Sequence, residues 1–170
     1  NPRSPMSLDP IDLILIDAIQ QNASRRLEDL GRMVNLAPSS VHERLRKLER
    51  DGVIRRWTVD LDAQAVGLDV CAFVGIRGGK TKVSVEDIAK IPEVEEIHSV
   101  AGDLCFLLKV RVPDTTALLA LIGQLREIPG IEATHSTIVL KTQLDRPFAL
   151  PHVPAPKPNG NGHLAKSGRR

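Results

Sequence analysis

Apolar side chains return every three to four positions through the first fifty or so residues. Ile11, Ile14, Leu15, Ala18 and Ile19 share one helical face. The chemistry just before them is that of a helix start: Asp9 can cap, Pro10 suits the first helical position, and Asp12 brings negative charge into the first turn. A second, shorter helix is predicted from Leu27 to Val34 with Leu27, Leu30 and Val34 inward, a poorly capped start and Asn35 as its breaker. A third runs from Ala37-Pro38 to Arg50, burying Val41, Leu45 and Leu48, and stops at Asp51-Gly52. The β-prone stretch Val53 to Val59 follows. Three helices, the last two joined by a short turn, then a strand, is the layout of a winged helix-turn-helix.

Beyond Asp60 the period changes. Val70 to Ile76 reads as a buried strand ended by Gly78-Gly79, and Val83 to Ile91 as a short helix stopped before Pro92. Leu104, Phe106, Leu108, Val110 and Val112 alternate onto one face of a strand from Leu104 to Val112. Asp114 or Thr115 can cap a helix to about Glu127, with Leu118, Leu119, Leu121, Ile122 and Leu125 inside. An internal echo organises this half: the stretch from Ile91 to Ser99, containing Pro92 and His98, recurs from Ile128 to Ser136 with Pro129 and His135, each time directly after a helix. The resulting order, βαββαβ, is the ferredoxin-like α+β sandwich with one bare sheet face. A bare face carrying Cys71, Phe73 and Leu107 predicts a homodimer. The chain therefore divides into a winged helix-turn-helix over 1–60, a linker over 61–69, the sandwich over 70–145, and a Pro-, Gly- and Asn-rich basic tail over 146–170 that is expected to be disordered.

Composition narrows the functional classes. Aromatic residues make up 2% of the chain, so both cores must be aliphatic. No run is long and apolar enough for a membrane span and the N-terminus lacks a signal pattern, so no membrane partner and a cytoplasmic location are expected. Cys71 and Cys105 sit in apolar segments away from metal-ligand spacing, which predicts buried free thiols and no metal.

The net charge of +2 conceals a segregation: residues 1–60 carry +1, 61–145 carry −4 and 146–170 carry +5. From Arg25 to Trp57 there are nine basic and five acidic side chains. The outward face of the third helix presents Ser39, Glu43, Arg46 and Arg50, flanked by Ser40, His42 and Lys47, and Arg55 follows on the predicted strand. Hydroxyls and N–H groups at a helix start suit phosphate, and Arg, His and Glu can read base edges. Any amphipathic helix has a polar outer face. The short turn, the basic face and the basic strand together point to double-stranded DNA.

Other chemistries lack their constellations. His98 and His135 occupy equivalent repeat positions, with no acid spaced to orient either as a catalytic base, so no enzyme is expected. Gly78-Gly79-Lys80-Thr81 resembles the end of a phosphate loop but lacks its upstream glycine. No cofactor is implied. The remaining alternative is an effector-binding or assembly protein whose winged helix makes protein contacts.

These residues resemble the leucine-responsive regulator, or Lrp/AsnC, family. The likeness runs from Leu8-Asp9-Pro10-Ile11-Asp12 through the third helix and Asp51-Gly52-Val53-Ile54. It then continues from Val100-Ala101-Gly102-Asp103 to Val110 and on to Thr142, about 135 residues in all. The resemblance implies a transcriptional regulator, dimeric and often assembled into an octamer, that bends DNA and whose C-terminal half responds to an amino acid. It also implies an effector site at the turn holding Gly102, Asp103, Leu104 and Cys105, completed by Ser136 on the last strand. There are two departures. Cys105 stands where many members carry Asp, removing a charge that could engage an effector's ammonium group. Ala37 replaces the usual capping Ser, at a cost of about 1 kcal/mol.

Overall fold

The computed structural model describes residues 8–150. It separates into two compact units, one built from the chain up to Val59 together with the segment from Asp145, the other spanning Asp60–Leu144.

The first unit holds three helices. Helix α1 (Pro10–Gln21) opens with a full capping box: the Asp9 carboxylate accepts from the Asp12 N–H at 2.7 Å and the Asp9 N–H returns to Asp12 at 3.3 Å. Helix α2 (Leu27–Val34) has no side-chain cap at its start and ends at Asn35 in the left-handed conformation, φ 56°. Helix α3 (Pro38–Arg50) begins after Ala37, which makes no side-chain cap. The α2–α3 turn closes tightly on Gly31, where a Cβ would stand 2.5 Å from the Leu36 carbonyl oxygen; only glycine fits there. Leu15, Leu30 and Val41 are fully buried at the centre, and full burial of such a side chain contributes about 1.5–3 kcal/mol.

One expectation fails in this unit. Residues 53–59 form no strand. A lone extended segment has no ladder partner in this part of the chain, and its backbone groups stay with solvent. The segment is tied instead through the Trp57 indole N–H, which donates to Glu49 on α3. The tail from 151 onward lies outside the described residues; 146–150 have no regular structure, but Leu150 packs against the helical core.

The second unit is an antiparallel four-stranded sheet with two helices. Strands β1 (Val70–Gly78), β2 (Val94–Ser99), β3 (Phe106–Val112) and β4 (Ile131–Ile138) lie in the order β2-β3-β1-β4. Helix α4 (Val85–Ile88) follows β1, and α5 (Thr115–Arg126), capped by Asp114, follows β3. This is the expected ferredoxin-like order. Ala72, Val74 and Ile76 of β1 and Leu108, Val110 and Val112 of β3 point into a core with Ile88, Leu118, Leu121 and Leu125. Cys71, Phe73 and Leu107 fall on the opposite, helix-free face.

Four details differ from the sequence reading. The helix expected over 83–91 is one turn, because Ser84 caps it at Asp87 and the backbone turns out again by Ile91. Leu119 is 70% exposed rather than core, its position on α5 turning it away from the sheet. Cys71 and Cys105 are free but only partly buried. Leu104 does not join the Phe106 face: β3 begins two residues later, and Leu104 lies over Gly75, where a Cβ would meet its methyl at 2.6 Å.

Candidate nucleic-acid interface and effector site

On α3 the buried positions Val41, Leu45 and Leu48 fix the orientation of everything else. Ser39, His42, Glu43, Arg46, Lys47 and Arg50 are exposed and Ser40 is partly so. These side chains make one surface stripe of hydroxyls, guanidiniums, an ammonium, an imidazole and a single carboxylate. Arg55 is exposed on the segment after the helix, without the strand expected to carry it.

Sequence reasoning missed the residue that ties this helix down. Arg44 reaches from α3 to the start of α1, its Nη1 donating to Asp9 at 2.6 Å and to Asp12 at 2.8 Å. Burial alone would push the Asp9 carboxyl up; the Asp12 N–H and the Arg44 guanidinium outweigh it and hold the group below its ordinary value. The Arg44 guanidinium is correspondingly raised, chiefly by its bonds to Asp9 and Asp12. The capping box thus serves twice, starting α1 and anchoring α3.

In the second unit Gly102 and Asp103 occupy the exposed turn between β2 and β3, Gly102 at φ 121°, where a side chain would be strained. Cys105 is held against β1: its N–H donates to the Ile76 carbonyl at 2.9 Å and its thiol reaches the same oxygen at 3.3 Å. Leu104 lies over the neighbouring Gly75. Gly102 to Cys105 therefore form one group at the sheet's end. Ser136 stands apart from them on β4, paired with Val74 across the intervening strand β1.

The bare face is ordered by charge as well as apolar groups. His98, Leu107, Gly75 and His135 form one row across all four strands. In the next row Lys109 lies 3.3 Å from both Glu95 and Glu96, and Glu96 also meets His98 at 2.7 Å. The bond to His98 and the Lys109 charge lower the Glu96 carboxyl despite burial that opposes them. Burial would lower the Lys109 ammonium, but the paired glutamates raise it.

Comparison with known proteins follows the same division. The AsnC-type helix-turn-helix domain family matches residues 8–49, and the Lrp/AsnC ligand binding domain family matches residues 71–147. HTH-type transcriptional regulator FL11 of Pyrococcus horikoshii is 36% identical over 137 residues, covering 79% of this chain and 91% of its own. The leucine-responsive regulatory protein of Escherichia coli is 32% identical over 145 residues, covering 82% and 88%. Among solved structures, the feast or famine regulatory protein of Mycobacterium tuberculosis complexed with L-methionine superposes with a TM-score of 0.79 at 32% identity, covering 87% of this chain and all of that one. With the helix-turn-helix in one unit and the ligand-binding sandwich in the other, the chain belongs to the Lrp/AsnC family of transcriptional regulators.

Proposed function

We propose that the chain is a sequence-specific reader of double-stranded DNA that changes state on binding a small metabolite, an amino acid first among candidates. The observation that carries the DNA reading is the exposed stripe of α3, held in place from behind by Arg44. Arg46, His42 and Glu43 are placed to read base edges, while Ser39, Ser40, Lys47, Arg50 and Arg55 serve phosphates and set register.

The effector reading rests on the turn Gly102 to Cys105. A backbone at positive φ with no side chain leaves its amide accessible to a carboxylate, Asp103 can meet an ammonium group, and Leu104 supplies an apolar wall. Ser136, paired with Val74 on the far side of β1 from this turn, completes the site from another copy. The relative bound to L-methionine makes an amino acid the class to test. The bare sheet face, with Phe73 36% exposed at its centre, pairs two chains, and the dimers assemble further into an octamer. No helix among the described residues is long and apolar enough to cross a membrane. As a reader of DNA the chain acts in the cytoplasm.

Selection from a random-sequence duplex pool tests the reading. Enrichment of a two-fold symmetric motif, lost in Arg46→Glu, is expected; a pool that stays random overturns it.

A further inference from the structure

Beside the α3 stripe, and sharing His42 and Arg46 with it, lies a feature whose apolar interior DNA recognition does not use. A cavity of about 340 Å³ opens in the first unit between the α1–α2 connection, the flank of α3 and Trp57. Its floor is aliphatic, made by Ile19, Leu27, Leu30 and Leu45. Two guanidiniums, those of Arg25 and Arg46, stand at its rim, and neither has an ion-pair partner among the described residues. The Arg25 Nε is buried with no hydrogen-bond partner among the described residues. An unmet buried donor is costly, more so when charged, and points to a missing acceptor. Against these two guanidiniums the lining holds one carboxylate, Glu49, which accepts from the Trp57 indole, so the cavity carries excess positive charge.

We propose that this cavity is a second small-molecule site, selective for a short branched aliphatic carboxylic acid. The guanidinium fork of Arg25 matches a carboxylate in shape and charge, and the floor matches a branched hydrocarbon body. A DNA phosphate would satisfy the charge but leave the floor unfilled. Trp57 forms one wall and is 46% exposed, on a segment with no ladder bonds, so an entering ligand meets little resistance there. Because Arg46 belongs to both the cavity and the α3 stripe, the occupant weakens DNA binding; that consequence rests on the DNA reading above, whereas the site itself does not.

Trp57 is the chain's one tryptophan and so reports on this cavity alone. The test is a fluorescence titration of the full-length chain with 4-methylpentanoate, with the neutral 4-methylpentanamide as control, in wild type, Arg25→Met and Arg25→Lys. Expected are a saturable change with the acid, at least tenfold weaker response to the amide, loss in Arg25→Met and partial retention in Arg25→Lys. No saturable change, equal response to the amide, or undiminished binding by Arg25→Met overturns the site. Should Arg25→Met not fold, the acid–amide contrast and Arg25→Lys decide the matter. Wild type is then expected to bind DNA more weakly with the acid present; unchanged DNA affinity overturns the competition. Failure of the DNA reading would instead appear as no DNA binding even without the acid, and would leave the titration untouched.

Discussion

Arg44 on α3 and Asp12 on α1 are joined by an ion pair at 2.8 Å across 32 residues of sequence, with Asp9 sharing the same guanidinium nitrogen. The Asp12 side chain is 13% exposed and that of Arg44 32%, so the contact sits between a surface pair and a buried one. Arg44→Met should destabilise the helical unit by about 1–2 kcal/mol, more than an exposed pair loses and less than a fully buried one. Urea denaturation checks this. Arg44→Lys should recover part of the loss, since it restores charge without the fork.

The same contact predicts a dependence on pH. The Asp9 carboxyl is held below its ordinary value in the folded chain, so the unfolded chain takes up a proton first as the solution is acidified. Its contribution is present above the unfolded value of about 3.8 and is lost as pH falls through the lower folded value. Melting of the helical unit followed by circular dichroism between about pH 5 and 2 should therefore show a steeper acid loss in wild type than in Asp9→Asn. Equal slopes would mean that Asp9 is not the group responsible.

The helix-free face should hold two chains together. Phe73 is central in β1 and lies beside Lys109 and Thr137 on neighbouring strands. Phe73→Glu places a charge within any apolar contact there, and should move the particle toward half its mass in light scattering while preserving the far-ultraviolet spectrum. Unaltered mass would locate the interface elsewhere.

An amino-acid effector should announce itself thermally. A ligand that binds only the folded state at about 100 times its dissociation constant stabilises by roughly 2.7 kcal/mol. A screen of the twenty amino acids is expected to give at least one such shift, weakened in Asp103→Asn and in Ser136→Ala. Silence across the set would agree with the missing acid at Cys105 and remove amino acids as the signal.

Most of this architecture was legible in the chain. The cap at Asp9, the left-handed Asn35, the α3 stripe and the strand order carried by the Ile-Pro echo all arise from local chemistry and periodicity. What escaped depends on tertiary partners. The pairing of Arg44 with Asp9 and Asp12 joins elements more than 30 residues apart, and the aspartates already had a sufficient local role as caps. Residues 53–59 have the composition of a strand, yet composition does not supply the neighbour that a ladder requires. Leu104 kept the alternation of the strand after it, but the ladder starts only at Phe106, and a side-chain period has no force where no ladder holds it. The candidate effector group is half legible: Gly102 to Cys105 are contiguous in sequence and gathered at one end of the sheet, whereas Ser136 stands apart from them on β4.

The central claim is that α3 reads DNA, and the most direct test is the salt dependence of duplex affinity in wild type and Arg46→Glu. A face making several phosphate contacts should lose about tenfold to a thousandfold in affinity over a fourfold rise in salt, and Arg46→Glu should abolish specific binding while leaving the oligomer intact. A flat salt response, or a footprint unchanged by Arg46→Glu, would contradict the account and return the helix to protein contacts.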